Sequence, residues 1–115
     1  MMDGDDRIPA EMWVAAQLRS CHAQGMPAYL ARKGAVMGGI VLVKVTDPAQ
    51  RQSRVFTQSR DFEGKTGWLP AFEGACVDER EADAYIGRAV ARDPDLWVLE
   101  VENRESVMPF EGKIF

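Results

Sequence analysis

Residues 39–45 read Gly-Ile-Val-Leu-Val-Lys-Val, and residues 95–102 read Asp-Leu-Trp-Val-Leu-Glu-Val-Glu. Aliphatic residues, many of them β-branched, dominate both stretches, which is typical of β-strands. Asp47-Pro48 follows the first stretch and Asp93-Pro94 precedes the second, and both pairs have the chemistry of turns. The sequence therefore predicts two strongly apolar strands.

Two helices and several shorter strands are predicted around this pair. Apolar residues at helical spacing favour helices over residues 9–24 and 78–92, and acidic first turns complement both helix dipoles. Trp13 falls outside the apolar stripe of the first helix, so we expect it at the rim of the core or on a contact surface. Shorter strands are predicted over residues 28–33, 53–58 and 68–69. This order predicts an α+β domain, a two-layer sandwich in which an antiparallel sheet of four to five strands carries both helices on one face.

Length and composition indicate one domain that spans residues 1–115. A chain of 115 residues with 46% hydrophobic residues can bury a core without a disulfide or a metal. We expect residues 1–7 to be frayed and residues 104–115 to form a C-terminal tail. The acidic N-terminus is unlike a secretory signal, and no stretch approaches the roughly 20 apolar residues of a membrane span. A cytoplasmic protein with no membrane contact is therefore predicted.

The few cysteines and the single histidine limit the available chemistry. Cys21 and Cys76 are far apart without a metal-binding spacing, so two reduced thiols are expected and no metal or cofactor is predicted. His22 follows Cys21 on the first predicted helix, where neighbouring side chains point about 100° apart. A Cys-His catalytic pair is therefore not expected.

The charge of the chain is uneven along its length. The net charge of −4 divides into +3 over residues 1–60 and −7 over residues 61–115. An acidic chain is not typical of a nucleic-acid-binding protein, so a nucleic-acid partner is not favoured. An alternative is that nucleic acid binds the basic residues around the hairpin, namely Arg32, Lys33, Arg51, Arg54 and Arg60.

The alternation of side chains in the two long strands predicts a second apolar sheet face. Three valines of residues 41–45 and the series from Trp97 to Val101 are assigned to the helices. The opposite face then carries five apolar residues: Ile40, Leu42, Phe56, Leu96 and Val98. A contiguous apolar patch of this kind marks a binding surface, unless the segment around Trp68 or the C-terminal tail covers it.

Carboxylates at the last strand indicate an alternative function, which is catalytic. Glu100 and Glu102 share one face of that strand, Asp95 lies at its start, and Lys44 is able to approach across the sheet. Carboxylates beside a lysine are the components of a metal-dependent hydrolase or nuclease site. A cross-strand ion pair at a solvated strand end accounts for the same residues without catalysis.

Three stretches carry a resemblance to a known family. Residues 11–21 (Glu-Met-Trp-Val-Ala-Ala-Gln-Leu-Arg-Ser-Cys), residues 41–45 and above all residues 93–102 (Asp-Pro-Asp-Leu-Trp-Val-Leu-Glu-Val-Glu) resemble the bacterial domain of unknown function family 1491. The resemblance covers roughly residues 9–103. It implies one compact bacterial domain, and it implies no activity, substrate or catalytic residue.

From these observations we predict a noncatalytic protein-binding or adaptor domain. The predicted partner is a second copy, in a homodimer or other homo-oligomer, or another protein, held on the sheet face of Ile40, Leu42, Phe56, Leu96 and Val98. The alternatives are the metal-dependent hydrolase and the nucleic-acid-binding hairpin.

Overall fold

The computed structural model describes residues 8–115, so the fraying expected for residues 1–7 lies outside the described residues. Within residues 8–115 the chain forms two helices and seven strands. In chain order these are α1 (Ala10–Ala23), β1 (Ala28–Arg32), β2 (Val41–Asp47), β3 (Gln52–Arg60), β4 (Thr66–Pro70), β5 (Val77–Asp78), α2 (Glu79–Arg92), β6 (Trp97–Glu102) and β7 (Lys113–Ile114). The predicted α+β class is confirmed.

The strands form one mixed sheet. Its order is β1-β6-β2-β3-β4-β7, and β5 pairs with the start of β3. β2 pairs with β6 in parallel, as β4 does with β7, whereas the other pairs are antiparallel. The prediction of an antiparallel sheet with four to five strands is therefore only roughly right.

The two helices lie on opposite faces of the sheet, so the prediction that they share one face is wrong. Val14 and Cys21 of α1 pack with Val43 and Leu99. Ala82 of α2 packs against the other face, in a cluster with Leu42 and Val98. The reason is topological, because two parallel strands need a connection that crosses over one face of the sheet. α2 is part of that connection, and it covers the face that α1 leaves exposed.

The C-terminal segment, residues 104–115, is docked on its own domain. Ser106 is fully buried, Phe110 is 7% exposed, and β7 adds to the sheet beside β4. Arg54 of β3 fixes the start of the segment, because its guanidinium donates a hydrogen bond to the carbonyl oxygen of Glu105 (2.7 Å). It also donates to the carbonyl oxygen of Gly74 (2.9 Å), which lies outside the segment. The segment thus covers part of the α1 face.

Asp47 also ties the C-terminal segment to the sheet. Its Oδ2 accepts a hydrogen bond from the backbone N–H of Glu105 (2.9 Å), and its Oδ1 accepts from Ala49 (3.0 Å) and Gln50 (3.3 Å). The hydrogen bond from Glu105, followed by those from the turn, lowers the pKa of the Asp47 carboxyl below its ordinary value.

We predict that Asp47→Ala loosens the C-terminal segment. Because the folded-state pKa is lowered, the stabilisation is complete above the unfolded pKa of about 3.9 and is lost as the pH falls through the folded value. Amide hydrogen exchange over residues 104–110 should accelerate in the variant at neutral pH, and the difference from wild type should shrink in acid. Asp61→Ala is the control, because Asp61 accepts backbone hydrogen bonds from Glu63 and Lys65 and none from this segment. Equal exchange in Asp47→Ala and wild type would contradict the prediction.

The loop between β1 and β2 packs tightly against the start of β6. The indole Nε1 of Trp97 donates to the carbonyl oxygen of Ala35 (2.8 Å), and the N–H of Ala35 donates to the carbonyl oxygen of Asp95 (3.0 Å). A Cβ added to Gly39 would lie 2.2 Å from the carbonyl oxygen of Asp95. Close approach of the two backbones therefore requires glycine here.

Gly39→Ala is expected to lower the free energy of unfolding by about 1–3 kcal/mol, the usual effect of forcing extra volume into a packed region. Gly38→Ala is the matched control, because a Cβ there meets nothing within 4 Å. The control should leave stability unchanged or raise it slightly. Urea unfolding of the two variants measures the difference, and equal values would refute the close contact.

Candidate functional site

Lys44 lies at the centre of a carboxylate cluster on the α2 face. Its ammonium nitrogen lies 2.7 Å from Oδ1 of Asp83, 2.9 Å from Oε2 of Glu79 and 3.8 Å from Oε1 of Glu100. The lysine side chain is 3% exposed, whereas the partners are more accessible. Burial disfavours the ammonium, but the hydrogen bonds with Asp83 and Glu79 and the charge of Glu100 outweigh it, so the pKa of Lys44 is raised. The lysine therefore stays charged and paired.

The four predicted catalytic residues are only partly brought together. Lys44 and Glu100 are neighbours, and Glu102 follows two residues later on the same face of β6. Asp95 lies five residues before Glu100, which corresponds to about 16 Å of strand. Within residues 8–115, no group of three or more His, Cys, Asp or Glu side chains is arranged to hold a metal ion. Lys44 instead forms a cross-strand ion pair with Glu100, as the noncatalytic interpretation of the sequence predicted. It also pairs with Glu79 and Asp83 of α2.

Glu100 has a second partner in Tyr29 on the edge strand β1. The Tyr29 hydroxyl donates to Oε1 of Glu100 at 2.5 Å. This hydrogen bond, with smaller contributions from burial and from the negative charge of Glu100, raises the pKa of Tyr29 to about 12. A raised pKa means that the contact stabilises the fold below the ordinary tyrosine value of about 10 and is lost as the pH rises through about 12.

The predicted binding face is not open. Leu42, Leu96 and Val98 are each at most 4% exposed and are buried under α2. Phe56 lies on the opposite face, because it pairs with Val43 and packs in the α1 core. Ile40 alone of the five is exposed, at 44%. The surface predicted for self-association is therefore the second half of the core, and neither the Trp68 strand nor the C-terminal segment is what covers it.

The basic residues of the predicted nucleic-acid surface are dispersed. β1, which carries Arg32, is separated from β3 by two strands, a distance of about 14 Å. Lys33 forms an ion pair with Glu11 at 3.3 Å, and Arg54 donates hydrogen bonds to the carbonyl oxygens of Gly74 and Glu105. The hairpin thus presents no continuous basic stripe over these strands.

The cysteines and the histidine have structural surroundings. Cys21 and Cys76 are free thiols, and burial raises the pKa of Cys21. His22 is exposed, and its Nε2–H donates to the carbonyl oxygen of Ala28 at 2.8 Å. A raised thiol pKa disfavours the thiolate that a nucleophile requires.

A wide groove of about 1160 Å³ lies on the α1 face, and we call it the α1 groove. Four parts of the chain line it: α1 with Ile8, the loop residues 37–41, the adjoining ends of β3 and β4 at residues 58–68, and residues 109–112 of the C-terminal segment. α1 packs beside β1 at one edge of the sheet, whereas the C-terminal segment lies along β4 near the other edge. The groove is the gap that these two covers leave between them.

Three aromatic side chains form the floor of the α1 groove. The ring centroids of Trp13, Trp68 and Phe110 are 5.7–6.2 Å apart, and the Trp13–Phe110 pair is edge-to-face. The indole Nε1 of Trp68 donates to the carbonyl oxygen of Glu111 (3.0 Å). Mutual packing of this kind fixes the rings relative to one another. Trp13 is half-buried at the edge of the core, one of the two placements predicted for it.

The rim of the groove carries exposed apolar side chains and charged side chains. Met37 is 72% exposed, Ile40 44% and Ile8 40%. Arg60, the last residue of β3, and Lys65, which precedes β4, also line the groove, as does Glu111. The groove therefore combines an aromatic floor and an exposed apolar rim with charged side chains of both signs.

Sequence reasoning missed most of this groove. Met37 and Lys65 lie in loops and carry no periodic pattern, and they line one groove only because the folded sheet brings the β1–β2 loop and the β3–β4 connection to the same face. The one available signal was the displacement of Trp13 from the apolar stripe of α1.

The fold and the groove define a small α+β domain, in which a mixed sheet lies between two helices and the α1 groove lies on one face. The chain belongs to the family described as Protein of unknown function (DUF1491), whose model matches residues 8–111. This match confirms the resemblance seen over residues 9–103. Within residues 8–115, neither helix is long and apolar enough to cross a membrane.

Solved structures of similar proteins share the fold. A crystal structure of a DUF1491 family protein from Caulobacter crescentus CB15 has a TM-score of 0.85 at 32% identity, covering 94% of this chain and 99% of that one. An NMR structure of a DUF1491 family protein from the same organism has a TM-score of 0.81 at 32% identity, covering 94% and 96%. The solution structure of protein Atu0922 from A. tumefaciens matches at 0.72 and 22% identity, covering 93% and 99%, which supports the fold alone. No curated protein matches the chain.

The contact of Tyr29 with Glu100 predicts an anomalous tyrosine titration. In a Tyr85→Phe background, Tyr29 is the single tyrosine, and its phenolate absorbance should appear near pH 12. Glu100→Gln should move this ionisation toward pH 10, because it removes the negative charge that opposes the phenolate. Glu102→Gln is the control and should have a much smaller effect. Circular dichroism at each pH confirms that the chain remains folded, and an ordinary titration in the folded parent would contradict the contact.

Proposed function

We propose that the chain is a noncatalytic protein-binding domain whose α1 groove holds an extended segment of a partner protein. Apolar side chains of the segment pack against the exposed apolar rim and the half-buried Trp13, and an acidic side chain faces Lys65. The observation that carries the proposal is the exposed rim of Ile8, Met37 and Ile40 above Trp13. Methionine and aromatic residues are enriched in the centres of protein interfaces, and methionine adapts to varied partners.

The size of the groove favours a polypeptide over a small molecule. Pockets for small ligands measure about 300–1,000 Å³ and enclose most of the ligand, whereas the α1 groove measures about 1160 Å³. Its lining mixes apolar residues with glutamines, serines and threonine, which is the pattern of a polar surface around an apolar centre.

The lining favours binding over catalysis. It contains no histidine, and its single thiol, Cys21, is 2% exposed with a raised pKa. Lys65 and Glu111 are exposed side chains at the border of the groove. The groove therefore offers recognition groups without an activated nucleophile.

Preorganisation supports binding at this rim. The carbonyl oxygen of Val36 accepts a hydrogen bond from the N–H of Glu11 (3.2 Å), which ties the Met37 loop to the start of α1. On its other side, the loop is fixed by Trp97 and by the close approach at Gly39. A rim held in place before binding loses less conformational entropy when a partner docks.

The free thiols of Cys21 and Cys76 support a reducing compartment, so we place the binding role in the cytoplasm. A second copy of the chain stays a candidate partner. It would have to use the groove, because α2 covers the sheet face first considered for self-association.

Selection from a displayed library of random peptides tests the proposal. Enriched peptides should share an aromatic or aliphatic anchor beside an Asp or Glu. Met37→Glu should weaken the binding of these peptides at least tenfold. It places on the apolar rim a polar group with a negative charge, which repels the acidic residue of the peptide. Isothermal titration of the selected peptides measures the affinities.

Leu69→Glu is the matched control, since Leu69 is 53% exposed on the α2 face and does not line the groove. The Leu69→Glu variant should bind the selected peptides with the same affinity as wild type. Equal affinities for Met37→Glu and wild type, or no enriched peptide, would overturn the proposal. Sedimentation velocity without peptide determines whether a second copy occupies the groove, and a dimer abolished by Met37→Glu would name that copy as the partner.

A further inference from the structure

Arg54 of β3 is a half-buried cation whose partners are all uncharged. Its Nε donates to the carbonyl oxygen of Gly74 (2.9 Å), and its Nη1 donates to the carbonyl oxygens of Glu105 (2.7 Å) and Ser106 (3.3 Å). Within residues 8–115, Arg54 forms no ion pair with an Asp or Glu side chain. The carbonyl oxygens therefore fix the guanidinium in place without neutralising its charge.

One nitrogen of this guanidinium is left for a ligand. Arginine has N–H donors on Nε, Nη1 and Nη2, and those on Nη2 donate to no group of the described residues. Every buried side-chain nitrogen of those residues has a hydrogen-bond partner, so Nη2 is accessible. A charged donor of this kind makes its strongest hydrogen bonds with carboxylate and phosphate oxygens.

An open pocket of about 350 Å³ lies beside Arg54, and we call it the Arg54 pocket. Val107 is 54% exposed and Ile114 is 47% exposed, so part of the apolar wall faces solvent. The apolar side chains that line the pocket come from β3, β4 and the C-terminal segment: Phe56, Pro70, Val107, Met108, Phe110 and Ile114. The pocket thus places an exposed apolar surface next to a cation that has no counter-ion in residues 8–115.

Two turns with left-handed backbone position the guanidinium at this pocket. Phe72, Glu73 and Gly74 have φ angles of 54–86°, and Glu105 and Ser106 have φ angles of 65° and 54°. Residues other than glycine rarely adopt this conformation, and it persists only where the surrounding structure enforces it. Both turns direct carbonyl oxygens to Arg54, so the guanidinium is held before any ligand arrives, which lowers the entropic cost of binding.

The size of the Arg54 pocket favours a small molecule. Pockets for small ligands measure about 300–1,000 Å³, and this one is near the lower limit of that range. At roughly 30 Å³ for each non-hydrogen atom, the volume corresponds to on the order of ten such atoms. A polypeptide segment like the one proposed for the α1 groove is too large for it.

We propose that the Arg54 pocket binds a small amphipathic carboxylate, an aliphatic or aromatic acid. Its carboxylate accepts a charge-assisted hydrogen bond from Nη2 of Arg54, and its apolar part packs against Val107, Met108 and Ile114. Charge complementarity selects an acid over an uncharged apolar molecule, because only the acid supplies the missing counter-ion. The pocket shares Phe110 and Gly112 with the α1 groove, but its ligand does not depend on the partner segment proposed there.

Titration of the full chain with octanoate, followed in proton–nitrogen correlation spectra, tests this site. Octanamide is the matched ligand, because it has the same length and no charge. We expect saturable shifts of the Val107 and Met108 amides and of the Arg54 Nε–H, with a Kd on the order of 1 mM or tighter. Octanamide should bind at least fivefold more weakly.

Two variants examine the two halves of the pocket. Arg54→Gln should remove the preference for octanoate over octanamide. Because this change also removes hydrogen bonds that anchor the C-terminal segment, Val107→Glu provides a test that keeps them. It places a negative charge on the exposed wall and should weaken octanoate binding at least fivefold. Leu69→Glu is the control and should bind octanoate as wild type does, since Leu69 is 53% exposed and does not line the pocket.

Three results would each overturn the site: equal affinities for octanoate and octanamide, an unchanged affinity in Val107→Glu, or no saturable shift at the Arg54 pocket. The shared wall requires one more comparison. Larger shifts at Trp13 and Gln17, which line only the α1 groove, than at Val107 would place octanoate in that groove and would also overturn the proposed site.

Discussion

β2 and β6 pair in parallel at the centre of the sheet, and most of the structure depends on this pairing. Val41 to Thr46 align residue for residue with Trp97 to Glu102. Because both strands are central and a helix lies on each face, all seven residues of β2 are buried. The parallel pairing also requires a crossover, and α2 in that crossover encloses the second half of the core.

Burial on both faces imposes a strict requirement on the polar side chains of β2. Lys44 meets it through Glu79 and Asp83 of α2, and Thr46 meets it through a hydrogen bond of 2.8 Å with Ser53 on β3. Among residues 8–115, no buried side-chain nitrogen or oxygen lacks a hydrogen-bond partner. The carboxylates near Lys44 thus belong to the attachment of α2, since an unpaired buried ammonium would be strongly unfavourable.

The α1 groove arises from incomplete coverage of the other face. α1 packs beside β1, and the C-terminal segment is anchored over β2 and β3 through Asp47 and Arg54. Trp13 and Phe110 meet between the two covers and prevent the gap from reaching the core. A floor of mutually packed rings, beside a rim loop that is held by hydrogen bonds, is the kind of surface that binds a segment without large rearrangement.

The sequence by itself determined the two helices, the longer strands, the α+β class and the family, because helical and strand periodicities and the turn residues are local signals; the two-residue strands β5 and β7 were not predicted. The alternation in residues 41–45 also separated Val43 from Leu42 correctly, since side chains alternate in any strand. The tertiary structure alone decided which helix covers each set, because the parallel insertion of β6 depends on pairing between residues about 55 positions apart. The tertiary structure also decided that Leu42 is buried in the core under α2 and that Lys44 forms ion pairs with α2. Met37, Trp13 and Lys65 came together as a groove only in the folded chain, where loops distant in sequence meet.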